Sequence, residues 1–238
     1  VVFRWPGETS SPRAGGAGAA APSDTDRPVA PPQPAVPAEV ISPGPAAAAV
    51  PQTGAGTFTY GTTTGPVLGG AGTLRRFYIA VENGIDQDAE AFGMAVETIL
   101  GDSRSWIAGQ DVRFQRVPKS TSSQFAMVLA TPTTSEKMCA TAGLQTRKYT
   151  SCRLPNKVVI NLARWLTATE TYNASVEVYR AYAVNHEVGH ELGHGHEACP
   201  GSGKPAPVML QQTLGLRGCV ANPWPYLDGT RYAGADIP

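Results

Sequence analysis

The chain holds four histidines, His186, His190, His194 and His196, all inside the run NHEVGHELGHGHE of a 238-residue sequence. Clustering that tight points to a shared metal ion. On a helix, His186 and His190 lie four positions apart on one face, close enough to grip the same ion. Glu187 follows the first of them and sits beside the open side of that ion. In such an H-E-x-x-H arrangement two neutral imidazoles bind zinc and the carboxylate acts as general base.

A third ligand has two candidates. His194 continues the i, i+4, i+8 row, but positions eight apart are separated by about 12 Å along a helix axis. Zinc holds nitrogen at about 2.0–2.1 Å, so three side chains on that row cannot converge. The helix must stop and the chain turn back. Gly193 is placed for this, since glycine accepts the left-handed conformation that ends helices. One zinc ion is therefore assigned to His186, His190 and His196, with His194 the alternative third ligand, otherwise facing solvent or a carboxylate. Three protein ligands leave a fourth position for water, whose pKa zinc lowers towards 7. Glu187 can take that water's proton and later pass it to a leaving amine. The competing reading, a zinc that only pins the C-terminal half, leaves Glu187 without a role.

These residues need a scaffold, and its elements are legible. LRRFYIAVE, residues 74–82, reads as a strand ending in the turn Asn83-Gly84. DAEAFGMAVETILGD carries Phe92, Val96, Ile99 and Leu100 at the spacing of an amphipathic helix closed by Gly101. DVRFQRV alternates with period two; QFAMVLATP and KVVINLA read as buried strands. A second helix is expected from about Ser175 to Gly193. GTFTYGTTTGPVL suggests short strand and turn pieces forming a flap, and the stretch after Gly193 reads as irregular. The expected fold class is α+β, a mixed twisted sheet with two main helices and an irregular C-terminal part, over residues 57–238 with one core.

Residues 1–56 differ. Eleven of the 21 prolines fall in the first 51 positions, among Ala, Gly and Ser. Such a segment cannot bury enough apolar surface to offset its conformational entropy, so a disordered Pro/Ala/Gly-rich linker is expected. Nineteen basic side chains balance nineteen acidic ones, which gives no electrostatic reason for nucleic acid or an anionic membrane as partner. No apolar stretch approaches the roughly 18–20 residues of a membrane span. The sequence has no initiator Met, and an export signal or an anchor to membrane or cell wall is expected upstream.

The four cysteines have no C-x-x-C spacing. Three pairings are open, with four free thiols as the alternative; sequence-local closure favours Cys139–Cys152 and Cys199–Cys219. Disulfides imply an oxidising compartment, so an extracellular or cell-surface location is expected.

Residues His186 to His196, HEVGHELGHGH, fit the signature H-E-x-x-H-x-x-G-x-x-H at every defined position, and in this the chain resembles the metzincin clan of zinc endopeptidases. The wider stretch to Tyr226 also resembles an uncharacterised bacterial family of secreted or anchored proteins regarded as zinc metallopeptidases by similarity. By element order the clan resemblance extends over about residues 74–210. It implies a metzincin-like domain in which Met209 forms the turn beneath the metal and, with Gly193, supports the site. In astacins and serralysins a tyrosine two residues after that methionine binds the metal or the oxyanion. Here Gln211 stands there, and Tyr226 is the substitute candidate for oxyanion donor, with packing on Trp224 as its other role. Glu197 matches the glutamate that meets the mature amino terminus in astacins. No cysteine precedes Cys139, so the linker cannot supply the zinc-blocking thiol of some relatives. The resemblance further implies a peptide or protein substrate bound in extended conformation along an edge strand, with Thr146–Thr150 the candidate edge. A zinc metallopeptidase, a hydrolase acting on peptide bonds, is thus expected. The rivals are a zinc amidase acting on cell-wall peptides and a non-catalytic, zinc-stabilised envelope-binding domain.

Overall fold

The computed structural model describes residues 49–237. Its centre is the strand β2 (Thr73–Glu82), around which β1 (Phe58–Tyr60), β3 (Val112–Arg116), β4 (Phe125–Ala130), β5 (Cys152–Leu154) and β6 (Lys157–Asn161) complete one six-stranded sheet. β3 runs parallel to β2 over Thr73–Phe77 and β1 antiparallel to it at Ala80–Glu82. On the opposite side β4 and β6 follow in parallel, and β5 closes that edge antiparallel to β6.

The parallel strands are apolar at successive positions because both faces are covered. Phe77, Ile79 and Val81 of β2, Phe125, Met127 and Leu129 of β4, and Val158 and Ile160 of β6 point to one face. There they meet α1 (Ala89–Leu100), α3 (Leu162–Thr167) and α4 (Val176–Glu191) in the main core. The alternate positions, among them Ala80, Ala126, Val128 and Val159, point to a thinner layer with α2 (Pro132–Ala140), Cys139 and Cys152. Small side chains on that face suit the single short helix that covers it.

The helix α4 begins where the sequence marks it. Ser175 accepts the amide of Val178 as N-cap, and Glu177 lies in the first turn. Its end is equally defined. Gly193 has φ +95°, its N–H donates to the His190 carbonyl at 3.1 Å, and the His194 N–H donates to the Gly189 carbonyl at 3.0 Å. That pair of bonds is a Schellman stop, and it turns the chain into β7 (His196–Glu197), which pairs with β10 (Asp236–Ile237). A second small ladder, β8 (Tyr226–Leu227) with β9 (Thr230–Arg231), interrupts the otherwise irregular C-terminal part.

The mixed sheet with α and β elements agrees with the expected class at that level, but the described residues hold four α-helices where two main ones are expected. The first addition, α2, starts at an N-cap Thr131 followed by Pro132 in the first turn, a start signal inside the segment read as the end of a strand. The second, α3, begins at Leu162 because the Asn161 side chain caps the amide of Ala163; the strand read in KVVINLA ends there.

Residues 49–56, on the linker side of the expected boundary at 57, lie against the domain. Val50 packs on the main core, the Gln52 carbonyl accepts from Thr133 N–H at 3.1 Å, and Gly56 N–H donates to Glu82 at 2.8 Å. Residues 1–48 of the expected linker lie outside the described residues. The flap read in residues 56–68 is held by buried Arg116, which pairs with Glu90 at 2.6 Å and Glu97 at 3.0 Å. Glu90 in turn accepts the amides of Thr62 and Thr63. Both disulfides pair as sequence-local closure favours: Cys139–Cys152 ties α2 to β5, and Cys199–Cys219 closes a loop after β7. Two disulfides are consistent with an oxidising, extracellular setting. Among the described residues, no helix is long and apolar enough to cross a membrane.

Candidate metal centre

The Schellman stop brings three imidazoles together. One nitrogen each from His186, His190 and His196 lie within 4.8 Å of one another, and His190 Nε2 faces His196 Nε2 at 3.1 Å. Two of the rings are oriented by main-chain carbonyls on their far sides. His186 Nδ1 bonds the Val208 carbonyl at 2.8 Å, and His190 Nδ1 bonds the His194 carbonyl at 2.8 Å. Each bond keeps the proton on Nδ1 and leaves Nε2 with its lone pair turned inward. His194 contributes its carbonyl rather than its ring. The ring stacks on Trp106 with centroids 4.5 Å apart, away from the triad, so the geometry selects His196 as third ligand.

The support beneath is a short turn after the last histidine. Val208 holds His186, the Met209 carbonyl accepts from Glu197 N–H at 3.1 Å, and the Met209 side chain is fully buried against α4. A methyl group at Gly189 would overlap the Met209 sulfur and lie 2.7 Å from Trp106 Cζ2, so the helix needs glycine there. The turn is itself braced. Gln212 donates to the carbonyls of Pro207 and Asn222, and Asn222 donates to that of Ala206. Asn185, one residue before His186, accepts from Ser105 Oγ at 2.8 Å and donates to the Pro223 carbonyl at 3.0 Å. None of these buried amides stands out by sequence spacing, because their partners lie anywhere from 5 to 80 residues away at no fixed interval.

Burial sets the protonation states. It pushes the His186 pKa down to about 3, helped by the neighbouring His190 and opposed by the Val208 carbonyl. Burial likewise lowers His190, His194 and His196. The triad is therefore neutral around pH 7, the form that ligates metals. Three neutral imidazole nitrogens, two of them fixed through Nδ1, form a donor set that fits zinc among the divalent metals that prefer nitrogen. Glu187, buried beside His186, has its pKa pushed up to about 8 by desolvation alone. A carboxyl group that titrates near neutrality can both accept and return a proton.

His186, Glu187, His190 and His196 line one cleft of about 890 Å³. Opposite them run the residues between the two cysteines of the first disulfide and the start of β5. Leu144, Tyr149 and Leu214, three of the large apolar side chains exposed on the surface, border the cleft. The candidate edge at Thr146–Thr150 is corrected: those residues form a turn, with Tyr149 N–H donating to the Thr146 carbonyl at 2.9 Å, pinned where Glu136 accepts from Thr146 Oγ1 and Lys148 N–H. The edge strand on this side is β5, which begins two residues further on at Cys152.

Tyr226 is not brought to the centre. Its hydroxyl lies against Gly109, its N–H donates to the Arg104 carbonyl at 3.1 Å, and it does not line the cleft. Trp224 is covered by the Arg104 guanidinium at 4.2 Å. Residues that do line it are Tyr182, Gln211 and Thr213. The Tyr182 hydroxyl is committed to the Leu210 carbonyl at 3.1 Å, whereas Gln211 is exposed. Glu197 meets Arg231 at 2.7 Å and the Gly234 N–H at 3.2 Å, so its partners come from the C-terminal segment.

Among known proteins, a family model described as "Protein of unknown function (DUF3152)" matches residues 44–221. No curated protein and no solved structure matches the chain.

Proposed function

We propose that this chain, which belongs to the DUF3152 family of proteins of unknown function, is a zinc-dependent endopeptidase of metzincin type, secreted or anchored outside the cytoplasm. The observation that carries the reading is the convergence of His186, His190 and His196 beside buried Glu187 at the floor of an open cleft. A zinc that only pinned the fold would need no carboxyl group there. Held by the three imidazoles, zinc would supply Lewis acidity, lowering the pKa of a water towards 7 and polarising a carbonyl.

The chain's own residues account for the rest. Val208 and His194 hold the rings through their carbonyls. Glu187, as carboxylate, accepts a proton from the attacking water, and the same carboxyl then donates it to the departing amine nitrogen. The three-residue edge β5 beside the cleft suits an extended peptide that adds to the sheet by main-chain hydrogen bonds. Leu144, Tyr149 and Leu214 offer apolar surface for its side chains.

The test is incubation of zinc-loaded protein with unfolded protein substrates and with cell-wall peptide fragments, with and without chelator. Chelator-sensitive cleavage of the unfolded protein, reduced about 10²–10⁴-fold by Glu187→Gln, is expected. Cleavage of wall fragments alone would replace the endopeptidase by an amidase, and hydrolysis of neither by the fully loaded protein would leave a zinc-stabilised binding domain.

A further inference from the structure

The charged side chains around the cleft are one-sided. Among the described residues lining it, the ionisable groups other than Glu187, the histidines and the tyrosines are Arg147 and Arg153. Arg153 lies in β5 and lines the cleft together with His190. Its Nε donates to Glu191 at 2.8 Å, and among the described residues this is its one side-chain hydrogen bond. Glu191 is buried at the end of α4 and is shared with a second guanidinium, that of Arg75 at 3.8 Å. Two cations therefore divide one carboxylate, and the node carries a surplus positive charge. A purely structural ion pair would need one arginine, not two. With Nε anchored, the Nη1 and Nη2 edge of Arg153 keeps two N–H donors in the fixed fork that matches a carboxylate.

We infer that Arg153 is the specificity residue of the cleft and receives a substrate carboxylate, an Asp or Glu side chain or a terminal α-carboxylate, within a residue or two of the bond that is cut. Glu191 is the positioning residue that aims the fork, and Arg147 adds long-range attraction from the rim. This substrate class rests on the hydrolytic reading above, yet binding of the carboxylate needs only the protein.

The test separates the two. Labelled Ala/Leu hexapeptides in matched pairs (Asp against Asn, Glu against Gln, free C-terminal acid against amide) are titrated into metal-free full-length protein by fluorescence anisotropy. Metal-free protein is used because a free acid could bind zinc directly. Acid members should bind at least tenfold more tightly than their amide partners, and the advantage should shrink as salt rises. Arg153→Ala should bring it below twofold, with Arg153→Lys retaining part of it. The Asp/Glu and terminal pairs show which carboxylate is read. Equal binding within all pairs overturns the inference, as does an advantage that survives Arg153→Ala in a folded variant. If that variant does not fold, the Arg153→Lys and wild-type salt series decide: an acid advantage indifferent to both salt and the lysine overturns it. The same peptides are then given to the zinc-loaded protein. Indifferent cleavage of acid and amide members sinks the specificity and leaves the peptidase. Acid-selective binding with no cleavage of any peptide sinks the peptidase and leaves the carboxylate receptor.

Discussion

Met209 lies with its sulfur against Gly189, which stands between two of the three ring-bearing positions of the candidate metal centre, next to His190. The contact locks the turn that carries Val208 onto α4 one residue from His190. Ring orientation, turn and helix thus form one packed unit, in which a change at any member should be felt by the others.

Gly189→Ala tests that unit. A methyl group there meets both Met209 and Trp106, and overpacking of a fitted core costs about 1–3 kcal/mol. The melting temperature should fall, and zinc should bind more weakly because Val208 is displaced with the turn. Calorimetric melting and zinc titration check both; a variant unchanged in both would separate the turn from the site.

The two histidines after the helix stop should behave oppositely. His196→Ala should lose most of the zinc, while His194→Ala should keep it, since the His194 ring stacks on Trp106 and only its carbonyl serves the site. Metal analysis after extensive dialysis reads the difference directly.

Glu187 should cost stability at neutral pH. Its folded pKa of about 8 lies above the ordinary carboxylate value. The unfolded chain therefore holds fewer protons between about pH 4.5 and 8, and stability falls as pH rises through that window. In chelated protein, Glu187→Gln should raise stability by on the order of 1–3 kcal/mol at pH 8 and by little at pH 4. Chemical denaturation at the two pH values shows the trend; equal effects at both would mean the carboxyl is not desolvated.

The acid limb should be governed elsewhere. Glu90 is held down to about 2, first by the Thr62 amide and then by Thr63 and Arg116 against the cost of burial. Its contribution is fully present above the unfolded value near 4.5 and is lost as pH falls towards 2. Glu90→Gln should flatten the acid limb and speed hydrogen exchange at the Thr62 and Thr63 amides. Exchange rates that stay at wild-type values would show that the flap is held by other contacts.

How much of the site could be read without coordinates depended on sequence distance. His186, Glu187 and His190 sit on one helix, so 3.6-residue geometry alone groups them, and Gly193 marks the reversal that admits His196. The disulfides close short loops and are legible for the same reason. Tyr226 shows the limit: no local spacing places this candidate oxyanion donor, and the C-terminal loops carry its hydroxyl to Gly109. Short helices suffered similarly. The α2 and α3 segments are too brief for a periodic apolar stripe, and only their caps, Thr131-Pro132 and Asn161, announce them.

Local spacing along the chain determined which histidines converge, which carboxyl group stands beside them and where the helix stops, because each depends on contacts a few residues apart. Tertiary structure alone decided what faces them. Arg153 meets Glu191 across 38 positions, and Met209 meets Gly189 across a long loop. Such pairings follow from the order of strands in the sheet and the path of the loops, which no periodicity encodes.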